Sequence, residues 1–222
     1  MLTNYQIDYR TNGQPKMFEF YLFVNPLGRK SYFSEQEVNA TIEMISSKVD
    51  LHIVCFHKQR IVTDYIKQLN LDLTDLNTRN HIYRIVYHAS LAAKAASMQG
   101  KRKGRLFLMK MQQRIDNQID RYNEDFIKQI AKEVGLDVDV FMEDINSDYV
   151  RELYINDQKI ATSMNVQKTP SLVIFEPISS NIGYMIEDDL ITREAVISQL
   201  DEIVAEEVES SHNRKKKHIR LL

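Results

Sequence analysis

Phe18-Glu19-Phe20-Tyr21-Leu22-Phe23-Val24-Asn25-Pro26-Leu27-Gly28-Arg29-Lys30-Ser31-Tyr32-Phe33-Ser34 is the stretch on which the reading of this chain turns. Phe18 to Val24 is a run of large apolar residues broken only by Glu19 and closed by Asn25-Pro26. A short aromatic and β-branched run bounded by a turn signal predicts a strand buried on both faces. Downstream, Ser34-Glu35-Gln36-Glu37 has the form of a capping box, a hydroxyl followed three residues later by a carboxylate, and predicts a helix beginning at Ser34. Val38, Ile42, Ile45 and Val49 then recur at helical spacing, and Leu51 to Phe56 reads as a second strand. Strand, helix and strand in that order imply a parallel pair with a right-handed crossover. Gly28 to Ser31 would lie at the carboxyl end of the first strand, where open α/β sheets hold their sites.

Outward from this unit, residues 1 to 16 are polar and end in the turn-like Asn12-Gly13-Gln14-Pro15, which predicts a frayed arm or a short edge strand. From Thr78 to Asn165 the pattern is helical. One long helix runs from Ile82 through the Ala-rich Ala89 to Ala96, and Gly100-Lys101-Arg102-Lys103-Gly104 follows as a solvated turn. A second helix is expected from Leu106 to Ile119, a third capped by Asn123 and stopped by Gly135, and two more over 137–143 and 147–164. A third strand, Ser171 to Phe175, comes directly after Thr169-Pro170. It is followed by a strand from Ile182 to Glu187 and a last helix capped by Thr192. Arg214 to Arg220 is a basic run behind Glu206, Glu207 and Glu209; it is read as a disordered solubilising end rather than a docking tail.

Composition narrows the class. The chain has 222 residues, 29 basic against 31 acidic side chains and a net charge of -2, so no global field recruits nucleic acid or a membrane surface. No apolar segment approaches the ~20 residues a bilayer requires. The opening Met1 to Arg10 lacks a basic region followed by an apolar one, so no secretory signal is expected. One cysteine, Cys55, forbids an internal disulfide, and cytoplasmic residence is the expectation. Between Val54 and Phe56, that cysteine reads as a small buried hydrophobe. His81 and His88 lie two helical turns apart, too far to share a metal, and neither a metal nor a cofactor is expected.

Asn25-Pro26-Leu27 and Thr169-Pro170-Ser171 together resemble the thioredoxin superfamily in its DsbA-like branch. In that branch the first strand ends in a (D/N)-P-x-C-x-x-C loop, and a cis-proline after Thr or Val opens the third strand. The resemblance covers roughly residues 17 to 207 and includes the Ala-rich insertion helices. It implies an α/β fold: a discontinuous thioredoxin-like domain over 17–77 and 165–207, interrupted by an all-helical insertion domain over 78–164. An arm over 1–16 precedes this domain and a charged tail over 208–222 follows it. The two redox cysteines would fall on Gly28 and Ser31. Gly28 has no nucleophile and a serine hydroxyl cannot carry out thiol–disulfide exchange, so the chain keeps the frame of an oxidoreductase without its thiols.

What the resemblance leaves is a protein-binding surface, with Pro26, Leu27, Gly28, Ser31, Tyr32, Thr169 and Pro170 as candidate contacts. Thr169 would offer its backbone to an extended partner segment, a form of strand addition. A cytoplasmic group of DsbA-like adaptors presents the regulator Spx to the ClpXP protease, and this chain is similar to it in layout. The implied function is therefore adaptor-like, with Spx and ClpXP as partners and no nucleic acid or membrane. The alternatives are a thiol–disulfide oxidoreductase or isomerase, a glutathione-transferase-like enzyme activating an external thiol through Ser31, and a partner-regulating protein of another target. Oligomeric state is left open.

Overall fold

A computed structural model of the chain describes residues 6–11, 13–177 and 182–218, side chains of Thr11 and of residues past 206 excepted. Residues 1–5 of the arm and 219–222 of the basic tail lie outside the described residues. Within the described part of the arm the short-strand alternative holds: β1 (Arg10–Thr11) and β2 (Gln14–Pro15) form an antiparallel pair. It is held because Tyr9 is buried edge-on against Phe18, ring centroids 5.6 Å apart, and the Tyr9 hydroxyl donates to Asp201 Oδ1 at 3.0 Å. Lys16, also buried, pairs with the buried Glu176 at 3.3 Å.

β3 (Met17–Val24) is the central strand. Phe18, Phe20 and Leu22 bury one face in the larger core, while Phe23 packs with Val54, Phe56 and Val173 on the other. Each fully buried Phe or Leu contributes about 1.5–3 kcal/mol of transfer free energy, which fixes both the strand and its register. α1 (Arg29–Met44) starts five residues before the expected Ser34. The capping box does not operate, since Ser34 and Glu35 are buried inside the helix and Glu37 instead accepts from the Arg193 backbone N–H and guanidinium at 3.2 and 3.1 Å. The loop itself nucleates the helix, whose hydrogen bonding begins with Tyr32 N–H donating to Gly28 C=O at 3.1 Å. At the other end, Ile45 is the C-cap and Val49 belongs to β4 (Lys48–Cys55), so neither is on the helix as expected. β4 is parallel to β3.

α2 (Gln59–Gln68) is a helix that the sequence reading did not assign. Its signal was present, because Ile61, Val62, Tyr65 and Ile66 recur on one side and are all buried. No side chain caps it at Lys58, which removes the usual start mark.

The helical block comprises α3 (Leu76–Met98), α4 (Lys101–Ile115), α5 (Glu124–Glu133), α6 (Val138–Ile145) and α7 (Asp148–Ser163). Asp75, Asn123, Asp137 and Ser147 cap α3, α5, α6 and α7 by accepting backbone N–H groups. The basic Lys101 to Lys103 is not a turn but the first turn of α4. The break is two residues, Gln99 and Gly100, and the φ of 126° at Gly100, which only glycine adopts readily, makes a longer linker unnecessary. Four residues on, a Cβ at Gly104 would stand 2.6 Å from Ser97 Cα, so the glycine permits the close crossing of α3 and α4. α4 ends at Ile115, short of the expected Ile119, because Asp116 and Asn117 turn into positive φ. Ile119–Arg121 forms a short 3-10 turn.

β5 (Ser171–Phe175) returns antiparallel to β3, and β6 (Gly183–Glu187) is antiparallel to β5, giving the order β4-β3-β5-β6. α8 (Arg193–His218) is capped by Thr192 as expected, with Oγ1 accepting from Ala195 N–H at 3.2 Å. Its backbone stays helical through the basic run to His218, where a disordered tail was expected. One continuous hydrophobic cluster joins sheet and insertion, with Phe18 and Phe20 in the same core as Ala92, Phe107 and Ile130.

Candidate functional site

The turn between β3 and α1 is held by four polar contacts. Asn25 Oδ1 accepts from Leu27 N–H at 3.0 Å, and Ser31 Oγ accepts from Asn25 N–H at 3.0 Å. Two more distant elements hold the same loop, because Gln112 Nε2 donates to Asn25 C=O at 3.2 Å and the Tyr65 hydroxyl donates to Leu27 C=O at 3.1 Å. These contacts brace the turn from both sides and commit the Ser31 oxygen to it.

Against this turn lies the opening of β5. The Thr169–Pro170 peptide bond is cis, and Pro170 C=O accepts from Asp188 N–H at 2.8 Å. Ser171 Oγ donates back to Lys168 C=O at 2.9 Å, which fixes the residue before Thr169 as well. Among the described residues no hydrogen bond engages the backbone N–H or C=O of Thr169 itself. The two loops and α2 enclose a cleft of about 230 Å³. Its walls are Asn25, Gly28, Lys30 and Ser31 on one side, Ile61, Asp64, Tyr65 and Gln68 on the second, and Lys168, Thr169 and Asp188 on the third.

Of the seven residues singled out from the sequence, Gly28, Ser31 and Thr169 therefore meet in one cleft. Pro26 and Pro170 are buried beside it and shape its walls without lining it. Leu27 is wholly buried in the core and offers no side-chain surface. Tyr32 is half-buried outside the cleft, where its hydroxyl accepts from Gln36 Nε2 at 3.0 Å and its ring packs on the exposed Phe33. The wall contributed by Asp64, Tyr65 and Gln68 went unforeseen because α2 was not assigned.

Charge at the rim is paired. Lys30 Nζ lies 2.9 Å from both Asp188 Oδ1 and Asp189 Oδ2, and hydrogen bonds to Asp189 and Asp188 hold its ammonium above the ordinary lysine range. Lys168 reaches toward Glu187 at 3.7 Å. Beneath the turn, Glu35 is fully buried, and burial pushes its carboxyl up to about 8, opposed by the neighbouring Gln112. No well-aligned hydrogen bond joins the two, and Gln112 Oε1 has no partner among the described residues. A neutral Glu35 avoids the cost of an unpaired buried carboxylate.

The chemistry available here is limited. A Cβ built on Gly28 would stand 3.3 Å from Ser31 Oγ, so the two positions face each other as a cysteine pair would, yet neither carries sulfur. Cys55 is buried, and burial pushes its thiol well above the usual cysteine range, away from the reactive thiolate. Ser31 is 1% exposed and its oxygen already serves the Asn25 N–H. Among the described residues no group of three or more His, Cys, Asp or Glu could hold a metal ion, and no helix is long and apolar enough to cross a membrane.

The sequence model of the thioredoxin family matches residues 21–196. The ClpXP adapter protein SpxH of Bacillus licheniformis is 30% identical over 190 residues, covering 78% of this chain and 63% of that protein. The ClpXP adapter protein SpxH of Shouchella clausii is 37% identical over 101 residues, 45% of this chain and 34% of that protein. This chain thus spans less than two-thirds of the length of either relative. The oxidoreductase NmDsbA1 of Neisseria meningitidis superposes with a TM-score of 0.57 at 11% identity, over 93% of this chain and 92% of that one, a likeness of fold alone. Sheet order, cis-proline turn, helical insertion and family match converge, and the chain belongs to the thioredoxin family, with the DsbA-like fold.

Proposed function

We propose that this protein works by binding another protein rather than by redox chemistry, as an adaptor that brings the regulator Spx to the ClpXP protease. The observation that carries the reading is the unengaged Thr169 backbone, lying in a preformed cleft whose facing loop has no thiol. An extended segment entering the cleft could pair with Thr169 as an added strand, anchored by main-chain hydrogen bonds and selected by the Lys30, Asp64 and Gln68 side chains. The SpxH relatives, named as ClpXP adapters, support the choice of partner. Tethering then raises the effective concentration of the substrate at the protease.

A glutathione-transferase-like role through Ser31 has less support. Its hydroxyl is almost fully buried and its oxygen is committed to Asn25, whereas activating an external thiol needs an accessible donor.

The test is degradation of Spx by reconstituted ClpXP in reducing buffer, with and without this protein. Acceleration that Thr169→Pro abolishes, with Tyr32→Ala mapping the flank, is the expected result. No acceleration by a protease active on a control substrate would remove Spx as the partner.

A further inference from the structure

At the β4 edge of the sheet, where α3, the first turn of α4 and α7 meet it, there is a second cleft of about 220 Å³ that shares no residue with the first. Lys94, Lys101 and Arg105 line it, against the single carboxylate of Asp157. Lys94 Nζ lies 2.5 Å from Asp157 Oδ2, a contact that uses one of the three donors of its ammonium. Lys101 reaches toward Asp50 at 3.7 Å, and Asp50 also lies 3.3 Å from His52. Arg105 is half-buried, and among the described residues its guanidinium has neither a hydrogen-bond nor an ion-pair partner. The opposite wall is flat: Tyr21 and His52, cross-strand partners on β3 and β4, stack with ring centroids 4.6 Å apart.

This concentration of positive charge is local, since the chain as a whole carries a net charge of -2. A guanidinium held in a partly desolvated cleft with no partner is costly, and its five donors in a planar fork match a tetrahedral oxyanion. The two lysines supply point charges from separate helices, which suits an anion with several acceptor oxygens better than a single carboxylate.

We propose that this cleft binds a phosphate-type oxyanion, with Arg105 as the bidentate ligand and Lys94 and Lys101 as flanking charges. The phosphate is either free or the phosphate of a small nucleotide whose base lies against the Tyr21–His52 wall. The site is independent of the Thr169 cleft, so it stands or falls separately from the adaptor reading.

The full chain is titrated with inorganic phosphate and, in parallel, with AMP, following amide and side-chain NMR resonances at constant ionic strength set with chloride. Saturable shifts at Lys94, Lys101 and Arg105 are expected, and Arg105→Gln should weaken binding at least tenfold while thermal unfolding without phosphate is unchanged. Lys101→Gln, on an exposed side chain, should weaken it severalfold and guards against a folding defect in the first variant. AMP binding tenfold tighter than phosphate assigns the phosphate to a nucleotide; equal or weaker binding assigns it to the free ion. A response that chloride reproduces, or wild-type affinity in Arg105→Gln, overturns the proposal.

Discussion

Glu35 shows how one residue can set the pH behaviour of this fold. Its carboxyl is pushed up to about 8 by burial, against roughly 4.3 in an unfolded chain, so the folded state holds a proton that the unfolded state releases between those values. Stability contributed by this group therefore falls as pH rises from about 4.3 toward 8 and levels off above, where both states are ionised. Glu35→Gln keeps the shape without a titrating group, so it removes the pH-dependent contribution. Urea unfolding should show the variant more stable than the parent at pH 7, by on the order of 3 kcal/mol, with the gain shrinking toward pH 5. An unchanged pH slope would mean that Glu35 is not the neutral acid its burial implies. Gln112, released from its contact, also bears on the site, because its amide holds Asn25 C=O in the turn. Glu35 was legible in the sequence only as part of a capping box. Its burial came from α1 starting at Arg29, which rotates Glu35 toward α4 instead of leaving it at a helix end.

At the scale of elements, strands and capped helices are legible in the sequence and uncapped helix starts are not. β5 was legible because composition agrees with burial on both faces, and β3 because its apolar run marks a strand, although Met17, Glu19 and Tyr21 leave its second face half-buried. Asn123 and Thr192 were legible because their side chains cap as their type predicts. α1 and α2 were misread or missed for a common reason: neither has a side-chain cap at its N-terminus. What starts α1 is a loop braced by Gln112 and Tyr65, residues 87 and 38 positions away from the groups they bond. The crossing of α3 and α4 depends likewise on a distant match, Gly104 over Ser97. Gly104→Ala brings a Cβ to 2.2 Å from Ser97 Oγ, and since the next contact is Ser97 Cα the side chain cannot simply turn away. A loss of about 1–3 kcal/mol in chemical denaturation is expected, an overpacking cost that outweighs the better helix propensity of alanine. Equal or raised stability would show that the two helices part without cost.

For the whole molecule, the two ends of the chain are tied across the fold. Tyr9 is buried and donates to Asp201 on α8, and burial together with that acceptor holds its hydroxyl proton well above the ordinary tyrosine range. Tyr9→Phe keeps the ring against Phe18 and removes only the hydrogen bond, so a loss of about 1 kcal/mol is expected in thermal or chemical unfolding. A neutral substitution would mean that the arm is held without this bond, by the Tyr9 ring, the Lys16–Glu176 pair and the hydrogen bonds that Ile7 and Tyr9 make with Met44, Ser46 and Ser47. The same long-range closure makes the Thr169 cleft: residues near 28, 65 and 169 come together only because β5 returns beside β3.

By itself the sequence determined the strand-helix-strand unit, the helical block and the absence of sulfur at residues 28 and 31, because periodicity and residue type are local facts. The thioredoxin-like plan was implied by the resemblance that Asn25-Pro26 and Thr169-Pro170 carry, and the cis state of Pro170 is a finding of the structure. Tertiary structure decided which of those residues are surface at all. Leu27 went into the core, Tyr32 to the outside, and Ser31 into a hydrogen bond with Asn25, while α2 supplied a third wall that no local signal had placed at the site. Burial and partner choice depend on contacts between residues far apart in the chain, and periodicity carries the face of an element but not what packs against it.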